Sequence, residues 1–252
     1  MQYSQSEVDK LFPIHSQTST PDKSFLLNSV KFLKKFVENY SYIEVGSYMG
    51  GGLAPFLTDP ACKSVTSVDE RERAQPDERG ANFDYAGITH QTMIDNLERH
   101  GIDTKKLKTF DGSINEMPIP AELFDLSFID GEHTDYACFR DFLWLLPMMK
   151  SDSLIMFHDS TLIYKAIRLI DLYLRKIGAK YKLIKLSGSE VSGIFLGNFG
   201  GVDFPEEFGP EDNLESFFET AETTIINHLV ANRVIIKFSA TVIPPKTIPV
   251  LS

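Results

Sequence analysis

The stretch Tyr42-Ile43-Glu44-Val45-Gly46-Ser47-Tyr48-Met49-Gly50-Gly51-Gly52 constrains the chain more than any other. An apolar run ends in a carboxylate and passes at once into a glycine-rich turn. Such a turn joins a buried strand to a helix, because glycine takes positive φ freely and a bare backbone lets a ligand come close. Gly46 and Gly50 serve these needs best, with Ser47 between them. The helix expected over 51–58, with Pro55 in its first turn, would then offer unpaired amides to that ligand. A dinucleotide fingerprint needs glycine where Tyr48 stands, so NAD binding is disfavoured.

The 252 residues can bury one generous α/β core and still leave an appendage. The expected divisions are a polar lead-in over 1–20, the main domain over 21–199 and an acidic segment over 200–252. No apolar run reaches the length of a membrane span, and the densest, 142–149, contains Pro147. The first ten residues hold no apolar signal core, and two cysteines, Cys62 and Cys138, make no disulfide framework. Together these predict a cytoplasmic protein with no membrane partner. A formal charge of -10 also argues against nucleic acid, whose phosphates need a clustered basic face. Eight carboxylates and no Lys or Arg lie between Asp203 and Glu222, which reads as a solvated face or loop.

Along the chain, Thr20-Pro21 opens a helix with Thr20 as its cap and Leu26, Val30, Leu33 and Val37 at helical spacing. After the glycine turn, Ser64-Val65-Thr66-Ser67-Val68-Asp69 is a second strand ending in an acid, and an acid there can accept both hydroxyls of a ribose. Glu70 could exchange roles with it. Residues 70–87 are charged and aperiodic and predict a loop over the ligand, whose Arg71, Arg73 and Arg79 read as solvated surface charge or, alternatively, as a hold for an anionic substrate group. A helix over 89–100 closes at Gly101, and a strand over 106–110 ends in Asp111-Gly112-Ser113.

Leu123-Phe124-Asp125-Leu126-Ser127-Phe128-Ile129 is the central strand, followed by Asp130-Gly131-Glu132-His133. Thr134 caps the next helix, whose expected apolar stripe is Tyr136, Phe139, Leu143 and Leu146. Ser153 to Phe157 form the following strand and deliver His158-Asp159-Ser160. A helix on Ile163, Ile167, Ile170 and Leu174 leads to a hairpin, 180–186 and 193–198, joined at Ser187-Gly188. Beyond 200 the pattern predicts a helix carrying Leu214, Phe217, Ala221, Ile225 and Leu229. A half-buried strand over 234–242 and a proline tail would follow.

Glu44-x-Gly46-x-x-x-Gly50 resembles motif I of the class I S-adenosylmethionine (SAM)-dependent methyltransferases. The pair Phe128-Ile129-Asp130-Gly131-Glu132-His133 and Phe157-His158-Asp159-Ser160 resembles the group that includes macrolide and sugar O-methyltransferases and cephalosporin-hydroxylase-like proteins. The resemblance spans about 40–198 and implies a Rossmann-like α/β fold. Its sheet would have seven mostly parallel strands and an antiparallel final hairpin, with a C-terminal helix-strand appendage outside it. It implies SAM as cofactor, on Glu44, Gly46, Ser47, Gly50, Asp69, Asp111, Gly112 and Asp130. It also implies a divalent metal, usually magnesium, on Asp130, His158 and Asp159, although His158 departs from the usual oxygen ligand and points to a softer ion. The activity implied is O-methylation of a small hydroxylated molecule, with Asp130, His133 and His158 as catalytic residues. His133 is the first choice of base. The alternatives are a hydroxylase-like relative and a non-catalytic SAM-binding protein. The C-terminal segment is expected to act in homo-oligomerisation or as a lid.

Overall fold

The computed structural model describes residues 3–202 and 208–231. Its centre is a seven-stranded sheet in the order β5-β2-β1-β6-β7-β9-β8. These strands are β1 (Tyr40–Val45), β2 (Cys62–Asp69), β5 (Leu107–Asp111), β6 (Phe124–Ile129), β7 (Met149–Phe157), β8 (Tyr181–Lys185) and β9 (Ser192–Leu196). Five are parallel, and β9 runs antiparallel to both β7 and β8. β1 and β6 are buried at every position, as expected of parallel strands covered on both faces.

Successive side chains point to opposite faces, so one strand feeds two cores. Tyr42, Leu126, Phe128 and Met156 pack under α2 (Thr20–Leu33), α3 (Ala54–Thr58) and α4 (His90–Arg99). Ile43, Val45, Ile155 and Phe157 pack under α5 (Asp135–Leu145), α6 (Tyr164–Lys176) and α7 (Leu214–Ala231). Each fully buried Leu, Ile or Phe contributes about 1.5–3 kcal/mol.

Local rules explain most element ends. Ser19, not Thr20, caps α2, and it exchanges capping-box bonds with Asp22. Thr89 caps α4, Thr134 caps α5, and Gly178 follows α6 at φ +68°. The helix after the glycine turn is shorter than expected, because 51–53 remain a turn and α3 begins at Ala54. On α5 the buried face is Cys138, Phe142 and Leu145, while Tyr136 is 76% exposed. That helix is apolar around most of its girth, so period alone could not select its inner face.

The lead-in is folded, although its sequence is polar. α1 (Gln5–Leu11) has its own capping box, and Val8, Phe12 and Ile14 are buried. The loop over 70–87 also holds a short hairpin, β3 (Gln75–Pro76) with β4 (Asn82–Phe83). α7 turns Phe217, Phe218, Ala221 and Ile225 inward. The expected strand over 234–242 and the prolines after it lie outside the described residues. Among the described residues no helix is long and apolar enough to cross a membrane.

Candidate functional site

The carboxyl ends of β1, β2 and β6 open into a cleft. Gly46 holds φ +87° at its floor, and any Cβ there would collide with the carbonyl of Asp130. Glycine is thus required by close packing of two strand ends as much as by conformation. Gly50, at φ +85°, faces Met93 and Leu97 of α4 instead, so it shapes the turn without lining the cleft. Gly51 and Gly52 take its place in the wall. Tyr48 sits in the left-handed region at φ +46°, its amide donating to Asp69 Oδ2 at 2.7 Å.

Four acidic residues, Glu44, Asp69, Glu70 and Asp130, line this cleft. Burial pushes Glu44 up to about 8, and the nearby Asp130 and Asp69 add to this against the hydrogen bond from Tyr42. That bond, from the Tyr42 hydroxyl to Glu44 Oε2, measures 2.6 Å. Burial likewise raises Asp69, with Arg71 opposing it. The cleft therefore favours a cationic ligand.

Arg71 corrects the reading of a solvated charge. Its side chain is 4% exposed, and it donates to Ser47 Oγ at 2.9 Å, Ser67 Oγ at 3.1 Å and Asp111 Oδ1 at 3.2 Å. Asp111 is thereby turned outward. It is 51% exposed, also 3.3 Å from His90 Nδ1, and lines neither the main cleft nor the smaller recess beside it. Gly112 does line that recess, with Ser113 and Asp141. The buried Ser113 Oγ has no hydrogen-bond partner, and burial pushes Asp141 up to about 6.

The N-terminal segment and the 70–87 loop close the cleft from above. Ser16, Gln17 and Thr18 line one wall, with Ser16 Oγ buried and unpartnered. Tyr85 packs edge-on against Tyr48, and its hydroxyl donates to Gln17 at 3.2 Å. None of these wall residues carries a sequence motif.

At the β6 and β7 ends stands a compact polar cluster. Asp130 Oδ1 is 2.8 Å from His158 Nδ1 and 3.3 Å from His133 Nε2. Asp159 Oδ2 is 3.2 Å from His133 Nδ1 and 3.6 Å from His158 Nδ1. Asp159 takes φ +50°, a conformation costing about 1–3 kcal/mol away from glycine, and places its carboxylate on both imidazoles. Burial alone would lower both histidines. Asp130 and its fellow carboxylates overcome this and hold both above their usual value, His158 by far the more. Burial would conversely raise Asp130, and the two imidazoles outweigh it and lower its carboxyl. Asp130 and His133 line the cleft, while His158 and Asp159 lie beyond its wall.

One donor atom from each of Asp130, His133, His158 and Asp159 fits within 4.8 Å of the others, so a divalent ion can be accommodated. Two of the four are nitrogens, which suits a borderline ion better than magnesium. Sequence reasoning missed Asp22, whose Oδ2 lies 3.5 Å from His158 Nε2.

Residues 43–160 match the family described as a methyltransferase domain. Similar solved structures include a Staphylococcus aureus protein provisionally assigned as a caffeoyl-CoA O-methyltransferase. It is 15% identical, over 77% of this chain and 93% of that one, with a TM-score of 0.51. The O-methyltransferase NovP is 12% identical over 67% of this chain and 76% of its own, at 0.51. A Klebsiella pneumoniae protein provisionally assigned as an O-methyltransferase is 13% identical over 75% and 89%, at 0.50. At these identities the likeness is one of fold. Among curated proteins none matches the chain.

Proposed function

We propose that this chain, whose residues 43–160 match a methyltransferase domain, is a class I SAM-dependent methyltransferase that transfers the cofactor's methyl group to a hydroxyl of a sugar, glycoside or other small molecule. One observation carries this reading: Asp130 belongs at once to the cleft and to the histidine cluster. A donor site and a proton-accepting site therefore share a wall.

The lining of the cleft suits the cofactor chemically. Its bare turn at Gly46, Gly51 and Gly52 and the orphaned hydroxyl of Ser16 offer polar contacts to an amino-acid moiety, and Glu44 offers its carboxylate to an ammonium. Asp69 has one oxygen engaged by Tyr48 and the other free for a ribose hydroxyl. The recess with the unpartnered Ser113 Oγ takes the base. SAM supplies a methyl group already activated on a sulfonium, so the protein has to position the acceptor and remove its proton.

His133 faces the cleft with Asp130 and Asp159 on its two nitrogens. An imidazole flanked in this way accepts a proton at Nε2 and has its cation stabilised by both carboxylates. Asp130 holds the ring in place and remains ionised. A divalent ion on Asp130, His158 and Asp159 would further lower the pKa of the acceptor hydroxyl.

Calorimetry of the full chain with SAM tests the cofactor. Label transfer from methyl-labelled SAM to a panel of glycosides, phenols, amines and thiols tests the acceptor. Absence of SAM binding would remove the enzymatic reading, and label found only on nitrogen or sulfur acceptors would remove O-methylation.

A further inference from the structure

The two imidazoles of the rim are braced from behind by different parts of the chain. His158 meets Asp22, whose Oδ1 accepts from Ser189 Oγ and from the Glu190 amide at 2.7 Å each. His133 stands four residues past the end of β6 and one before the cap of α5, so neither that strand nor that helix holds its backbone. Its ring contacts, 3.3 Å to Asp130 and 3.2 Å to Asp159, lie at the long end of the hydrogen-bonding range. What fixes its peptide is the β3–β4 hairpin.

The tip of that hairpin is the turn over 77–80, and one buried acid cinches it. The Asp77 carboxylate has no exposed surface. Its Oδ1 accepts from the amides of Arg79 and Ala81 at 2.8 and 3.1 Å, and its Oδ2 accepts from Arg79 Nε at 2.8 Å. A turn fixed in this way presents Glu78 to the segment that follows β6. The Glu78 amide donates to the His133 carbonyl at 3.2 Å, within a parallel bridge that pairs Asp77 with His133. The Glu78 carboxylate reaches further and accepts from the amide of Asp135, the first residue of α5, at 2.8 Å. One residue thus grips the chain on both sides of Thr134, and the amide it takes is one the helix leaves without a partner of its own. The limbs of the same loop carry Gln75 and Tyr85 into the wall of the cleft, with Tyr85 tied to Gln17. The wall a donor touches and the peptide that carries His133 are therefore joined through one hairpin.

We propose that Glu78 is a positioning residue for methyl transfer, which sets the reach of His133 into the cleft while touching neither donor nor acceptor. This rests on the reading of His133 as the base. An imidazole removes a proton only from within hydrogen-bond reach of the acceptor hydroxyl, and a shift of about 1 Å in such a group costs up to about 100-fold in rate. The donor's own contacts lie on the glycine turn and Asp69, so the loss falls on kcat and spares binding.

The test compares the unaltered full-length protein with Glu78→Ala and Glu78→Gln. Methyl-labelled SAM with a label-accepting glycoside gives kcat and KM, calorimetry gives SAM affinity, and hydrogen exchange read by mass spectrometry follows the peptide over 132–137. Glu78→Ala should lower kcat about 10–100-fold, with both KM values and SAM affinity within about threefold. It should also speed exchange in that peptide at least about tenfold. Glu78→Gln keeps an oxygen for the Asp135 amide and should bring kcat and exchange back to within about threefold of the unaltered protein. A residue that only capped α5 would lower the unfolding temperature and leave the kcat of folded protein unchanged, and that result would overturn the proposal. So would a Gln variant as slow as the Ala variant, or exchange that Glu78→Ala does not alter. An unaltered protein that labels no acceptor would instead sink the proposed function, and the exchange data alone would then decide whether Glu78 holds this peptide.

Discussion

Asp130 Oδ1 and His158 Nδ1 stand 2.8 Å apart, although 28 residues separate them in the chain. The contact exists because β6 and β7 are parallel neighbours in register, Ile129 beside Phe157, so each strand delivers its next residue to the same rim. His133, four residues past the end of β6, folds back onto the same carboxylate. The expectations below follow from this convergence and from the cleft beside it.

Gly46→Ala should be more damaging than an ordinary glycine substitution. The added methyl meets the Asp130 carbonyl, and φ +87° is strained for alanine. We expect a loss of at least about 2 kcal/mol in denaturant unfolding and loss of SAM binding by calorimetry.

SAM affinity should depend on pH through Glu44. Its carboxyl, pushed up to about 8, carries a proton in the empty cleft at neutral pH. A bound cation favours the ionised form, so binding releases that proton, and affinity climbs with pH and levels off above about 8. Titrations in two buffers of different ionisation enthalpy should register the release, and Glu44→Gln should abolish both it and the pH slope.

His133→Gln should lower methyl transfer by about 10²–10⁴-fold while SAM affinity changes little. The base must be neutral to act. Since the carboxylates hold His133 above its usual value, activity should rise with pH along a limb lying above the ordinary imidazole range. A pH–rate profile with a label-accepting glycoside checks this, and an unshifted limb would contradict it.

Asp111→Ala should leave SAM affinity within about twofold, because its carboxylate faces Arg71 and His90 outside the cleft. Ser113→Ala should weaken SAM instead, by about 1–3 kcal/mol if its hydroxyl pairs with the ligand. Calorimetry on the two variants decides between them.

Much of this architecture was legible in the sequence because the governing interactions are local. Strand ends were marked by Glu44, Asp69, Asp130 and His158, and the helix limits by Thr89, Thr134 and Gly178. What escaped was decided at long range. Asp22 looks like a helix-cap acid and is one, but it also reaches His158, 136 residues away and just past the end of β7. Asp111 ends its strand where expected, and only Arg71, arriving from the loop, turns it outward. Ser16 gains its place in the cleft wall because α1 is anchored by Val8 and Phe12, a small apolar pair in a polar stretch. The strands were read from apolar runs ending in acids and α5 from its cap, but the inner face of α5 was not legible, since a helix apolar on most sides carries little phase information.

The clasp of Ser189 and Glu190 on Asp22 joins positions 167 and 168 residues apart. A ribosome that has already made the glycine turn, the acidic strand ends and His158 still has not made the loop that fixes their common anchor. The reactive rim is therefore completed only after synthesis passes residue 190, and a half-translated chain has no finished place in which to spend a methyl donor.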